Sequence, residues 1–143
     1  MRVAAYHSHL GGWEYLQVRK PEIWREIVAA ITSIDSPEEM SECFGLLGWQ
    51  SEKSSGGSDF LKQGVAVEAY FDNEPRAAYD CLAKHLALYV RHSIDVGVGI
   101  LPMKSIQQKL LSNAPYYEAE CRRLMRERRG LPRAPLVIVG IKC

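Results

Sequence analysis

Two carboxylic acids, Asp59 and Glu68, stand on either side of the dipeptide Gln63-Gly64. If this dipeptide forms a two-residue hairpin turn, which the glycine permits, the two acids lie opposite each other with β-carbons about 4.5–5.5 Å apart. Two carboxylates so placed repel each other unless they share a proton or hold a cation, and their oxygens suit Mg²⁺. The alternative is a looser turn with another register, in which both acids point into solvent.

The segments around these acids predict the elements that hold them. Residues 65–71 alternate in character, which predicts a strand with Glu68 and Tyr70 on the same face. Helices are predicted at residues 21–33, 36–47, 76–91 and 115–129, and further strands at residues 94–101 and 135–141. His85 falls on the apolar face of its predicted helix and is expected to be a satisfied, partly buried histidine. The order of elements indicates an α/β fold with a mixed central sheet flanked by helices.

The composition is that of an ordinary globular protein. Of 143 residues, 47% are hydrophobic and 24% charged, which excludes a disordered chain and predicts a single domain over residues 1–143. The sequence has no apolar run of the about 18 residues that span a bilayer and no signal peptide pattern, so we expect a soluble, cytoplasmic protein without a membrane partner. Four widely spaced cysteines favour reduced thiols. Because neither a GxGxxG nor a P-loop pattern occurs, no nucleotide cofactor is expected.

Positive charge is concentrated near the C-terminus, although the formal net charge is only +1. Between residues 122 and 142 there are seven basic residues and a single acid, Glu127. Such a cluster attracts phosphates over a Debye length of about 8 Å at physiological salt. The alternative is an ordinary solvated helix end, because Glu118 and Glu120 stand early in the predicted helix and the arginines late, as the helix dipole prefers.

The hairpin region is similar to a known family. Residues 59–71 read DFLKQGVAVEAYF and resemble the active-site hairpin of BglII/BstYI-type restriction endonucleases, whose pattern is Asp, eight residues, Glu, one residue and Gln. The resemblance continues in the family's order through HSHLGGWEYLQVRKPEIWREI (7–27), AAYDCLAKHLALYV (77–90), IDVGVGILPMKS (94–105), YYE (116–118) and RGLPRAPLVIVGI (129–141). The family's PD-(D/E)XK core, a restriction-endonuclease-like α/β fold, agrees with the order of elements predicted above.

This resemblance implies Mg²⁺-dependent hydrolysis of DNA phosphodiesters. Asp59 and Glu68 would be the metal-binding carboxylates, and the backbone carbonyl of Ala69 would be a further ligand. Glu26 matches an acidic position near the family's site, and its alternative is a solvated residue beside Arg25.

Tyr70 stands where the family carries Gln, or wider relatives Lys, to position the attacking water. A phenol, with a reference pKa of about 10, can hydrogen-bond a water but supplies no cation. Lys62 or Lys84 is a candidate for the missing positive charge, although Lys84 is equally well explained as a helix residue whose stem covers apolar surface. Two hypotheses follow: an active endonuclease with Tyr70 in its catalytic site, or a catalytically degenerate relative that binds DNA or has lost its function.

The resemblance also predicts contacts with double-stranded DNA. Base reading needs directed polar groups on loops beside the sheet, and the candidates are Asn73, Ser112 and Asn113. The alternative for Ser112 and Asn113 is helix capping. Phosphate contacts, which carry no sequence information, are expected from Lys104, Arg122 and Arg126.

The family precedent implies a homodimer that cuts at a short palindrome centred on GATC, because a two-fold symmetric protein matches a two-fold symmetric site. The region between the opening helix and the hairpin, residues 36–58, is shorter than in the family. The chain therefore resembles a shortened member that has kept the core.

Overall fold

A computed structural model of the chain describes residues 1–51, 59–71, 77–110, 115–126 and 134–142. The strands are β1 (Arg2–His9), β2 (Phe60–Lys62), β3 (Val65–Ala69), β4 (Val96–Pro102) and β5 (Leu136–Lys142). The helices are α1 (Gly12–Arg19), α2 (Pro21–Ser33), α3 (Met40–Leu46), α4 (Ala77–Val90), α5 (Lys104–Leu110) and α6 (Tyr117–Arg126), with a 3-10 turn at Pro37–Glu39.

The strands form one mixed sheet in the order β1-β5-β4-β3-β2. The three central strands, β3, β4 and β5, run parallel, whereas β2 pairs antiparallel with β3 and β1 pairs antiparallel with β5. Helices cover the sheet, so the predicted α/β architecture with a mixed central sheet is confirmed.

The two faces of the sheet have different cores. On one face, alternate β-branched residues pack against α1, α2 and α3, and the strand residues among them are Val65, Val67, Val96, Val98, Ile100, Val137, Val139 and Ile141. Complete burial of each such side chain stabilises the fold by about 1.5–3 kcal/mol. The opposite face carries Ala66 and Glu68 of β3, and a smaller apolar cluster there includes Leu124 of α6. Glu68 therefore lies on the face that also receives α4, whose His85 packs on Gly97.

The predicted helices and strands recur within a few residues of their expected bounds, and α2 spans 21–33 as expected. Three elements were not predicted: β1, α1 and α5. β1 is an edge strand whose residues alternate only between exposed and half-buried, so its apolar pattern is weak. α1 begins at Gly12, a poor helix residue that is required because a β-carbon there would lie 2.6 Å from the backbone of Leu136.

The structure also bears on the expectations about membrane-spanning helices and cysteines. Across the described ranges, no helix has both the length and the hydropathy needed to cross a bilayer. Cys43 and Cys121 are free thiols, whereas the side chains of Cys81 and Cys143 lie outside the described residues.

Candidate active site

The hairpin between β2 and β3 closes with the predicted two-residue turn. Gln63 and Gly64 have φ values of 48° and 76°, the left-handed pair that a type I′ turn requires. The turn is held from outside, because Lys20 Nζ donates to the Gln63 carbonyl at 2.6 Å and Asp95 N–H donates to the Gly64 carbonyl at 2.7 Å. The register of the hairpin is thereby fixed.

This register brings the two predicted acids together. The outermost strand pair is Phe60 with Val67, so the next pair outward is Asp59 with Glu68, as predicted. The Asp59 carboxylate accepts a hydrogen bond from Ala69 N–H at 2.9 Å, and the Glu68 carboxylate accepts one from Asp59 N–H at 3.2 Å. These reciprocal bonds orient both side chains at the open end of the hairpin, where they are only 8% and 2% exposed.

Helix α4 presents a lysine to this acid pair. Lys84 Nζ lies 3.7 Å from Glu68 Oε2, while the Lys84 side chain remains 40% exposed. An ammonium group at this distance offsets the charge of the buried carboxylate without a short hydrogen bond to the oxygen. Of the two lysines that could supply positive charge, Lys84 is therefore the one at the acids.

The neighbouring His85 explains why α4 approaches so closely. Its ring packs on Gly97 of β4, where a β-carbon would lie 2.5 Å from the imidazole. His85 is completely buried, and this desolvation, with a smaller contribution from the charge of Lys84, lowers its pKa from 6.5 to about 3. The imidazole is consequently neutral at physiological pH, so the charge that this turn of α4 brings to Glu68 is that of Lys84.

Lys62 lies on the opposite face of the sheet from the acids. Its ammonium group donates to Glu26 at 2.7 Å and to the Leu47 carbonyl at 2.7 Å. The Trp49 indole N–H donates to the same Glu26 carboxylate at 3.1 Å. The hypothesis that Lys62 supplies charge to Asp59 and Glu68 is therefore wrong, because adjacent strand residues point to opposite faces.

Glu26 is only partly solvated, and its chain neighbour Arg25 pairs with Glu22. Its carboxylate is half-buried between Lys62 and Trp49, on the α1–α3 face rather than beside Glu68. The contacts that the structure gives Glu26 thus tie α2 to the hairpin.

Tyr70 lies on the same face as Glu68, but its ring is buried. It is 7% exposed and belongs to the apolar cluster beneath α6 that contains Leu101 and Leu136. Its backbone N–H continues the β3–β4 pairing by donating to the Ile100 carbonyl at 3.0 Å. The ring thus packs in the core, and its catalytic role stays a prediction.

The predicted DNA contacts divide into described and undescribed residues. Lys104, Arg122 and Arg126 are exposed, as phosphate-binding residues must be. Arg122 Nε also donates to the Glu118 carbonyl at 3.0 Å, within the helix. The base-reading candidates Asn73, Ser112 and Asn113 lie outside the described residues, so both sets of roles remain predictions.

The donor set at the hairpin fits a hard divalent cation. In the part of the chain that the structure describes, no group of three or more His, Cys, Asp or Glu side chains could enclose a metal ion. Asp59 and Glu68 instead offer two buried carboxylates at one point, beside the backbone of Ala69. Mg²⁺ usually takes one or two carboxylates and fills its other positions with water and substrate phosphates, whereas a closed zinc site needs four protein ligands.

Sequence reasoning identified the acids but missed how α4 is positioned. The missed signal is the alternation V96-G97-V98-G99 in β4, which puts valines on one face and glycines on the other. Glycines on one face of a central strand indicate that another element approaches closely there. The pattern therefore indicates a close approach to the strand that neighbours Glu68, and in the structure the approaching residue is His85.

The fold and the hairpin define a class: an α/β protein with an acid pair at the end of a β-hairpin and a lysine beside it. The family model for restriction endonuclease BglII/BglIII matches residues 47–141, about two thirds of the chain. The chain therefore belongs to the BglII/BglIII restriction endonuclease family, which makes DNA endonuclease its functional class and DNA its binding partner. No curated protein gives a significant match. The matched segment includes Asp59, Glu68 and Lys84, whereas the resembling segment at 7–27 lies outside it.

Proposed function

We propose that the chain is a divalent-metal-dependent endonuclease of the PD-(D/E)XK type that hydrolyses phosphodiester bonds of double-stranded DNA. Family membership supports the reaction class. The observation that carries the proposal is the reciprocal hydrogen bonding of Asp59 and Glu68, which holds two buried carboxylates at the open end of one hairpin. Buried like charges are costly unless a cation compensates them, so the arrangement favours a cation site over a purely structural one.

Asp59, Glu68 and the Ala69 carbonyl would hold Mg²⁺ in this proposal. When bound, the ion would supply Lewis-acid stabilisation of the charge that develops on the phosphate. The backbone N–H groups of Asp59 and Ala69 keep the carboxylates oriented, so little reorganisation is needed during the reaction.

In the hydrolysis itself, a water oxygen forms the new bond to phosphorus while the bond from phosphorus to the leaving sugar oxygen breaks. The water proton passes to solvent, and the leaving oxygen takes up a proton from solvent. No covalent enzyme intermediate is required, because water itself is the nucleophile.

The proposed substrate is a short palindrome centred on GATC, cut by a homodimer of this shortened family member. Asn73, Ser112 and Asn113 are proposed to read bases. The exposure of Lys104, Arg122 and Arg126 supports their assignment to phosphate contacts. A salt-sensitive affinity for duplex DNA is the expected signature of these contacts.

A specific observation supports the second candidate, a catalytically degenerate protein that still binds DNA. Tyr70 replaces the family's water-positioning Gln, and its ring is buried in the cluster beneath α6. If Tyr70 is incompatible with catalysis, Tyr70→Gln would be needed to restore cleavage.

Plasmid digestion in Mg²⁺ separates these candidates. The native chain is expected to cut, Asp59→Asn is expected to be inactive, and Glu26→Gln, on the opposite face, serves as the matched control that still cuts. Cleavage by Tyr70→Gln alone would identify a degenerate enzyme. Cleavage that persists in Asp59→Asn would remove the proposed site.

A further inference from the structure

The acid pair and its substrate create an electrostatic problem. Asp59 and Glu68 are both buried, and a phosphodiester adds a further negative charge when DNA binds. Negative charges repel one another strongly in a partly desolvated site, and the repulsion grows as their separation and their screening decrease. Positive charge is therefore needed both before and after the substrate arrives. In the family's pattern the residue at position 70 positions the attacking water, and in this chain that residue is the buried Tyr70.

The contact between Lys84 and Glu68 has the properties of an exchangeable counter-ion. The Nζ–Oε2 distance of 3.7 Å exceeds that of a charged hydrogen bond, and the lysine side chain is partly exposed while the glutamate is buried. Packing of His85 on Gly97 fixes the helix backbone, so only the flexible lysine stem has to move. Lys84 can thus leave Glu68 and remain over the same face of the sheet.

We propose that Lys84 is a cationic residue of this site: it compensates Glu68 in the resting protein, and its ammonium group would move to the scissile phosphate once the carboxylates hold a divalent ion. The proposal deepens the proposed function and rests on it. Lys84 keeps its proton throughout and acts through its charge and hydrogen bonds to phosphate oxygen. Position 70 then needs no cation, because α4 delivers one from a different element.

The proposal makes opposite predictions for metal binding and for cleavage. In the resting protein Lys84 competes with a divalent ion for Glu68, so Lys84→Met should bind Mg²⁺ more tightly, by about tenfold for the loss of one nearby positive charge. The same substitution removes the cation at the phosphate, so DNA cleavage should fall by about a hundredfold or more. A residue that only supported the fold would not strengthen metal binding when removed.

Isothermal titration calorimetry of the full chain with MgCl₂, without DNA, is the deciding experiment. Lys84→Met is compared with Lys84→Arg, which keeps the charge and should retain the native affinity. Lys62→Met is the matched control, because Lys62 is on the same hairpin but faces the other way, and it should leave Mg²⁺ affinity unchanged. Circular dichroism confirms that each variant is folded, and Lys84→Gln replaces Lys84→Met if the latter is not.

The outcomes distinguish this proposal from the proposed function. Tighter Mg²⁺ binding together with weaker cleavage in Lys84→Met supports both. Unchanged or weaker Mg²⁺ binding in Lys84→Met and Lys84→Gln overturns the assignment of Lys84, even if the native chain cuts DNA. A native chain that binds Mg²⁺ but does not cut contradicts the proposed function and the transfer to phosphate together, while tighter binding in Lys84→Met would still support the resting contact.

Discussion

Two lysine–glutamate pairs lie at the same hairpin, one on each face of the sheet, and they differ in distance, burial and hydrogen bonding. Lys62 and Glu26 meet at 2.7 Å, and each makes one further hydrogen bond, to the Leu47 carbonyl and from the Trp49 indole respectively. Lys84 approaches Glu68 only to 3.7 Å, and Glu68 is far more buried than Glu26. The first pair is short and has further hydrogen bonds, whereas the second is long and joins a partly exposed cation to a buried anion.

The difference indicates that the Lys62–Glu26 pair holds elements of the fold together, whereas the Lys84–Glu68 pair belongs to the candidate active site. The Lys62–Glu26 pair joins α2, the hairpin and the segment after α3, so exchanging either partner would break several hydrogen bonds at once. Lys84 and Glu68 are not joined by a short hydrogen bond. The buried Glu68 carboxylate has a second acid, Asp59, as its neighbour. Two buried carboxylates beside each other are costly unless a cation compensates them, which favours a site that binds a cation over a purely structural contact.

The largest expected effect comes from neutralising Glu68, and neutralising Glu26 is the matched comparison. Glu68→Gln should lower DNA cleavage by about a thousandfold, which corresponds to about 4 kcal/mol of transition-state stabilisation lost with the metal site. The heat of Mg²⁺ binding should disappear with it. Glu26→Gln should cut at close to the native rate, because its carboxylate faces the other core. Equal losses in the two variants, measured by plasmid digestion at matched folded fractions, would erase the distinction between the pairs.

A second test acts on the packing that brings α4 to Glu68. Gly97→Ala places a methyl group 2.5 Å from the His85 ring, and the resulting overpacking should lower the free energy of unfolding by about 1–3 kcal/mol. Urea denaturation measures this change. Gly45→Ala in α3 is the control, because its added β-carbon meets no atom within 4 Å and alanine favours a helix. A Gly97→Ala variant as stable as Gly45→Ala would show that α4 does not depend on this close approach.

Much of this comparison could be predicted from the sequence. The Gln63-Gly64 turn and the alternation after it are local signals that permitted this register beside a looser turn, and the structure has the register that puts both acids on one face. The roles of Lys62 and Glu26 could not be predicted, because they depend on how α2 and the Trp49 segment pack against the hairpin. Lys84 remained one of two candidates for the same reason: no local pattern states which helix crosses which face of a sheet.

His85 provides a pH-dependent test of the same face. Because burial lowers its pKa to about 3, the unfolded chain takes up a proton below its usual value of 6.5 while the folded chain does not. The contribution of the neutral imidazole to the free energy of unfolding is therefore fully present above pH 6.5. It is lost as the pH falls towards 3, at about 1.4 kcal/mol per pH unit. Between pH 7 and pH 5 the free energy of unfolding should fall by about 2 kcal/mol from this group.

Urea titrations at several pH values isolate the contribution of His85. His85→Gln removes the titrating group and should flatten the pH dependence by one proton, whatever its effect on overall stability. His92→Asn, at an exposed position after α4, should keep the native slope. An unchanged slope in His85→Gln would mean that the imidazole can be protonated in the folded protein, and a second positive charge would then lie beside Lys84.

The smallest expected effect concerns the Lys62–Glu26 pair, and a double-mutant cycle measures it. Lys62→Met and Glu26→Gln should each lower the free energy of unfolding, and their coupling should be about 1 kcal/mol, because both side chains are still partly exposed to water. The corresponding cycle for Lys84 and Glu68 should show little stabilising coupling, since the attraction at 3.7 Å only offsets the cost of burying Glu68. A larger coupling for Lys84 and Glu68 than for Lys62 and Glu26 would reverse the comparison. Lys84 would then be a structural residue. Its removal would weaken metal binding because the hairpin would lose support, whereas the proposal expects stronger metal binding because a competitor for Glu68 is removed.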